Sequence, residues 1–236
     1  MTHASGHASG HASEHASEHA SEHGVADAAA FWEERYLTHR DESGQMWSGR
    51  VNPAVAREVA ELTPGTALEL GSGEGADALW IAARGWTVTA LDISPAALAV
   101  GAKEAAARGL ADRIAWVQED LVVWRPTAEY DLVTSAFFHS PFDFPREQIL
   151  RRAAGAVAPG GRLLVVGHGA PPPGSNHDHA MQGPPLPTSD EVLASLELPT
   201  DWVVETNTLL ERAVMLPDGT ETAVTDTVLR VRRPSR

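Results

Sequence analysis

The chain has 236 residues, enough for one sizeable α/β domain with a full core and too few for two typical ones. It contains no cysteine, which excludes disulfides, thiolate metal sites and cysteine nucleophiles. With 18 basic against 32 acidic residues the formal charge is −14, so the chain repels phosphate backbones and no nucleic-acid partner is expected.

Residues 1–24 are a unit apart from the domain expected over 25–236. HASGHASGHASEHASEHASEHG repeats every four residues and sets His3, His7, His11, His15, His19 and His23 in register. Lacking any large apolar residue, this tail cannot bury a core and is expected to be disordered alone. Helical spacing of four would align the imidazoles on one face, where pairs can bind a divalent metal weakly. Gly6, Gly10 and the serines oppose that helix. The tail is read as a solvated appendage with no part in catalysis. No apolar run reaches the ~18–20 residues that span a bilayer and no signal-peptide layout opens the chain, so a cytoplasmic protein that avoids membranes is expected.

From Asp27 the pattern changes. DAAAFWEERYLTH carries Ala28, Phe31, Trp32 and Leu37 at helical spacing and predicts an amphipathic helix. After the polar stretch RDESGQMWSGR, Asn52 caps a helix that has Pro53 in its first turn. TALEL is a short strand, GADALWIAAR a helix stopped by Gly85, and WTVTALD a second strand. Ser94-Pro95 opens an alanine-rich helix that Gly109 closes. RIAWVQED and YDLVTSAFF supply strands three and four, PREQILRRAAGAV a helix, and the turn APGG leads into strand five, GRLLVVGHG. Residues 66–167 are thus expected to alternate strand and helix three times, with a further helix from strand four to strand five. That alternation predicts a parallel, doubly wound sheet with helices on both faces. A Pro/Gly-rich loop over 169–187 follows, then a capped helix at TSDEVLASL. WVVETNTLLERAVML and TAVTDTVLRVRR, joined at PDGT, read as an antiparallel pair.

GSGEGA follows strand one directly, where open α/β sheets bind ligands. It satisfies G-x-G-x-x-G/A, a weak pattern by itself. Glu69 and Glu74 stand beside it with no Lys or Arg near, which disfavours a pyrophosphate and suits a ligand bearing an ammonium. Asp92 ends strand two, where a carboxylate accepts from vicinal ribose hydroxyls. Asp120 ends strand three, where one can accept from an exocyclic adenine amine. Together these acids fit adenosine with a cationic amino-acid tail.

These motifs resemble the class I S-adenosylmethionine-dependent methyltransferases: E-x-G-x-G-x-G at Glu69 to Gly75, the acids Asp92 and Asp120, YDLVTSAFFH, APGGRLLV and the terminal strand pair. The resemblance implies a Rossmann-like seven-stranded sheet with its last strand antiparallel, in three α/β/α layers. It also implies S-adenosylmethionine (SAM) as methyl donor. By the same resemblance Gly71, Ser72, Gly73 and Gly75 let backbone approach the methionine part, and Glu69 lies near its ammonium. Asp92 holds the ribose, Asp120 with Leu121 addresses the adenine, and Ile93 and Ala136 complete the cofactor-binding residues. FWEERY…MWSGRVNP looks like the start of small-molecule enzymes of the tellurite-resistance and thiopurine type. That likeness makes Trp47 a lid residue with Tyr36 behind it, and offers Arg50 to the SAM carboxylate.

In-line displacement from a sulfonium needs alignment and exclusion of water, and needs a base only when the nucleophile arrives protonated. His139, just past strand four, is the candidate base, and a structural histidine is its plainer reading. His168 follows strand five at a similar height. His177, Asp178 and His179 sit in the long loop, which is read as a substrate cap without a metal. The expected function is methyl transfer from SAM to a small molecule. A non-catalytic SAM-binding or metal-responsive protein acting through the tail is the alternative, and an NAD(P)-dependent oxidoreductase stands behind it.

Overall fold

The computed structural model describes residues 28–39, 44–140, 144–169, 186–215 and 220–235. Helix α1 covers 28–38, as its apolar spacing predicts. Then come α2 (Pro53–Val59), β1 (Thr66–Leu70), α3 (Ala76–Ala82), β2 (Thr87–Asp92), α4 (Pro95–Ala107), a 3₁₀ turn at Ala111–Arg113 and β3 (Ile114–Gln118). The chain continues through β4 (Tyr130–Ala136), α5 (Arg146–Gly155), β5 (Val157–His168), α6 (Ser189–Ser195), β6 (Val203–Met215) and β7 (Glu221–Arg232). Local chemistry sets the helix starts. Asn52 accepts from the Ala54 amide at 2.7 Å, Ser94 from Ala97 at 3.1 Å, and Thr188 with Glu191 closes a reciprocal capping box.

The seven strands form one sheet in the order β3-β2-β1-β4-β5-β7-β6. All neighbours from β3 to β5 are parallel, and β7 runs antiparallel to both β5 and β6. Adjacent residues of the central strands go to opposite faces: Leu132, Leu164 and Val228 pack with α2, α3 and α4, whereas Val133, Leu163 and Leu229 pack with α5 and α6. Burial on both faces explains why these strands are continuous apolar runs rather than alternating ones. The three-layer α/β/α architecture expected from the sequence is present.

Two local expectations need correction. No helix joins β3 to β4: residues 121–123 make a turn, and Arg152 from α5 donates to the Leu121 and Val122 carbonyls at 2.7 and 3.0 Å. The APGG segment is part of β5, not a turn before it, because the β4–β5 register shifts between Tyr130 and Leu132 and absorbs the extra residues. The turn between β6 and β7 and most of the Pro/Gly-rich loop, with His177, Asp178 and His179, lie outside the described residues, as does the histidine tail.

A second bulge aims a charge. The β6–β7 register shifts between Val204 and Thr206, and the residue left over is Glu205. Its carboxylate meets Arg162 at 2.9 Å, Arg230 at 2.9 Å and Arg232 at 3.0 Å. Arg230 also reaches Glu58 of α2 at 3.0 Å, so one network ties the β6–β7 pair to β5 and to a helix. Among the described residues, no helix is long and apolar enough to cross a membrane.

Candidate active site

The glycine loop leaves β1 at Leu70 and returns into α3, with Gly75 as that helix's N-cap. The Ser72 amide donates to the Leu91 carbonyl at 2.9 Å, which fastens the loop to β2. Gly71 and Gly73 have φ of 66° and 53°, the region where a side chain is strained. A Cβ at Gly71 would stand 2.8 Å from the Phe138 ring, and one at Gly73 would stand 2.7 Å from the Tyr36 hydroxyl. The first and third loop positions must therefore be bare.

Three acids crowd beneath the loop. Glu69 is only 4 % exposed; the Ala78 amide donates to its carboxylate, and its Oε2 is buried without a partner. Burial, then Asp77 and Asp92, push its pKa well above the usual carboxylate range. Asp92 accepts from the Gly73 amide at 2.7 Å and the Ser94 amide at 2.9 Å, and the Ile93 amide adds a third donor. Burial raises its pKa against those three amides. Asp77 takes the Asn52 amide at 2.6 Å and is pushed up to about 6 by burial.

Glu74 does something the sequence did not suggest. It accepts from the amides of Met46 (2.9 Å) and Trp47 (3.1 Å), so it pins the N-terminal strap rather than facing a cationic ligand. Trp47 is 48 % exposed, and its indole N–H donates to the Tyr36 hydroxyl at 3.2 Å. Tyr36 is buried, and burial together with Asp92 raises its hydroxyl pKa above the ordinary tyrosine value. One turn earlier on α1, Glu33 accepts from the Ser94 hydroxyl at 2.5 Å and the Ala96 amide at 3.1 Å, capping α4 from outside. Glu33 and Tyr36 are three residues apart and share a helix face, a spacing that marks them only once the loop is known to lie there.

Of the other sequence candidates, Asp120 stands two residues past β3 rather than at its end, and its Oδ1 accepts from the Val122 amide at 2.9 Å. Leu121 is buried, while Ile93 and Ala136 are half-buried at the ends of β2 and β4. Arg50 is exposed, with its amide directed at Ser48. The loop brings Glu69, Ser72 and Asp92 into one neighbourhood, with Asp92 bonded to Gly73.

On the far side of Gly71 lies a second cluster. Phe137 leaves β4 with φ 51°, a strained value for a residue with a side chain. Its ring stacks on His168 at 4.1 Å, and His168 stacks on His139 at 5.6 Å. His139 Nε2 is buried without a partner, and burial, then Arg146 and His168, lower its pKa to about 3. His168 ends β5 opposite Asp226 of β7. Arg212 of β6 donates to Asp226 Oδ2 at 2.6 Å and lies 5.5 Å above the Phe137 ring. Neither Arg212 nor Asp226 stands out in the sequence, because a charged residue in a β-strand carries no local signal of its partners. Among the described residues, no group of three His, Asp or Glu side chains could hold a metal ion.

Comparison with known proteins agrees with this geometry. Residues 67–161 match the methyltransferase domain family. A 2-heptyl-1-hydroxyquinolin-4(1H)-one methyltransferase of Mycobacteroides abscessus is 32 % identical over 59 % of this chain and 64 % of its own length. Thiocyanate methyltransferase 1 of Arabidopsis thaliana is 33 % identical over 45 % of both chains. The alignments thus span less than two thirds of the curated relatives' lengths. Among solved structures, one described as "Conversion of a Disulfide Bond into a Thioacetal Group during Echinomycin Biosynthesis" superposes with a TM-score of 0.65 at 23 % identity, covering 89 % of this chain and 92 % of that one. TehB from Haemophilus influenzae gives 0.60 at 17 % identity, over 78 % of this chain and 62 % of its own. Sheet order, glycine loop and relatives agree: residues 67–161 match a methyltransferase domain, and the fold around them is that of the class I S-adenosylmethionine-dependent methyltransferases.

Proposed function

We propose that the protein transfers a methyl group from SAM to a small-molecule acceptor. The observation that carries this reading is the pairing of a buried, unpartnered Glu69 oxygen and Ser72 hydroxyl with a loop that is bare at Gly71 and Gly73. Orphaned buried acceptors cost about 1–3 kcal/mol each, and a ligand ammonium satisfies a carboxylate well. The residues therefore fit the methionine end of SAM. Asp92 has used three of about four lone-pair sites on amides, which leaves room for a ribose hydroxyl. Asp120 and Leu121 would flank the adenine, with Ile93 and Ala136 beside the nucleoside. Trp47 would cover it from the strap, and Arg50 would meet the carboxylate. When bound, SAM supplies an electrophilic methyl on a sulfonium that departs as a neutral thioether.

The chain's own work is then orientation and exclusion of water, which can lower a barrier by ~7–11 kcal/mol. His139 is the sequence candidate for a base, but at a pKa of about 3 it stays neutral and holds a proton weakly. It serves better as a neutral wall of the acceptor site. Two of the curated relatives support a small acceptor: one is named for a hydroxyquinolone and another for thiocyanate. Calorimetric titration of SAM, S-adenosylhomocysteine and NAD into the full chain tests the reading, followed by acceptor trials with a 1-hydroxyquinolin-4-one and thiocyanate. Saturable binding of the first two ligands is expected; binding of NAD alone would sink it. The histidine tail we assign to weak divalent-metal binding, so removing residues 1–24 should abolish nickel uptake and leave SAM affinity unchanged.

A further inference from the structure

We infer that His168, held by Asp226, is the group that takes the proton from an acceptor whose nucleophilic oxygen arrives as a hydroxyl. The inference rests on the methyl-transfer reading and names the chemical class of its acceptor. Three observations carry it. Asp226 is fully buried, Arg212 occupies its Oδ2 at 2.6 Å, and its Oδ1 has no partner. The imidazole facing that orphan is His168, whose Nδ1 lies 3.8 Å away across the β5–β7 register. That is just beyond hydrogen-bond length, and such pairs often tighten only when substrate is bound. Both imidazoles are half-buried, but the Nε2 of His139 is itself buried, whereas 24 % of the His168 side chain is open.

The consequences follow from imidazole chemistry. A buried carboxylate oxygen beside Nδ1 favours the tautomer with the proton on Nδ1, which leaves the Nε2 lone pair free as acceptor. The stacked rings of Phe137 and His139 fix the plane of the imidazole. The cluster is continuous with the cofactor loop, since Phe138, between Phe137 and His139, packs where a Gly71 side chain would be. In the step, the acceptor's O–H bond breaks, its proton bonds to Nε2 and its electron pair stays on oxygen for the new O–CH₃ bond. The positive charge lost at sulfur reappears on the imidazolium, opposite Asp226. The other charges facing the pair are Arg212 from β6 and, through His139, Arg146 at the start of α5. Asp226 is the one anion between Arg212 and the imidazolium, so the cluster carries a single net positive charge in that state. Asp226 and Arg212 are thus positioning residues, and His168 alone meets the acceptor.

The experiment is ¹⁵N NMR of the histidine rings in the full chain and in Asp226→Asn, with S-adenosylhomocysteine present. The native His168 should carry its proton on Nδ1, and the variant should lose that preference. A native His168 protonated on Nε2, or a tautomer unchanged in Asp226→Asn, would overturn the inference. Should Asp226→Asn fail to fold, the native spectrum decides, with His168→Gln identifying its signals. Methylation trials add a second readout. His168→Gln should slow a hydroxyquinolone acceptor at least 100-fold more than thiocyanate, which brings no proton; equal losses would count against it. Failure of SAM to bind at all would instead sink the methyl-transfer reading, so the two failures are distinguishable.

Discussion

Glu69 is the residue on which the proposed cofactor site turns. Its charge is opposed by burial and by Asp77 and Asp92, so in the free protein it holds its proton to a higher pH than an ordinary glutamate. An ammonium placed beside it would stabilise the charged form and expel that proton. SAM affinity should therefore rise with pH through the raised Glu69 pKa and level off above it. Glu69→Gln should flatten that slope and weaken binding by about tenfold or more, which calorimetry in buffers of different ionisation heat would measure. Asp77 gives an opposite kind of test. Its carboxyl is raised from 3.8 to about 6, so the native state binds more protons than the unfolded chain between those values. Stability is accordingly lost as pH climbs through that window, up to about 3 kcal/mol, and does not return above it. Asp77→Asn keeps an oxygen for the Asn52 amide and removes the charge. It should raise the melting temperature by a few degrees at pH 7.5 and by nothing at pH 4. Glu69 and Asp92 stood out in the sequence because Glu69 lies one residue before the end of β1, ahead of the glycine loop, and Asp92 ends β2. Asp77, Glu33 and Asp226 were not, because their meaning comes from partners 25, 61 and 58 residues away.

At the scale of elements, the caps were legible and the connections were less so. Asn52, Ser94 and Thr188 act within three residues of themselves, so local chemistry suffices to place the helices they open. The missing helix after β3 and the early start of β5 depend instead on Arg152 and on the β4–β5 register, which no window of sequence contains. Helix α1 and the strap after it belong to the same class. They are held to the Rossmann-like body by Glu33 on α4, by Glu74 on the Met46 and Trp47 amides, and by the indole–phenol bond of Trp47 and Tyr36. Glu74→Ala removes charge-assisted bonds of about 1.5–3 kcal/mol in all. Amide exchange at Met46 and Trp47 should accelerate roughly tenfold or more in that variant, while the amides of β1 and β4 keep their protection. Equal acceleration throughout would show that the strap does not open as a separate unit.

Over the whole molecule, the sheet joins a parallel half that carries the cofactor loop to an antiparallel end that carries Asp226. Glu205 is the fastening between them. Burial raises its pKa, but the hydrogen bond from Arg162 and the charges of Arg162, Arg230 and Arg232 outweigh it and leave the carboxyl below its ordinary range. Its stabilising contribution is thus complete above the usual glutamate pKa and is lost as pH falls through the lowered one. Glu205→Ala would leave three guanidinium groups converging with only Glu58, on Arg230, as a remaining anion. Urea unfolding should then show a loss of roughly 3 kcal/mol at pH 7 that shrinks in acid. The strand order has a further consequence, for how the chain comes to exist in a cell. Strand β7, which follows β6 in the chain, is threaded between β5 and β6, and β6 pairs with no other described strand of the sheet. As the polypeptide leaves the ribosome, β6 must therefore wait, unpaired, until the residues that follow it emerge. Asp226 lies in β7 itself, so a chain that stopped short of residue 226 would carry a glycine loop with neither its finished sheet nor the carboxylate opposite His168.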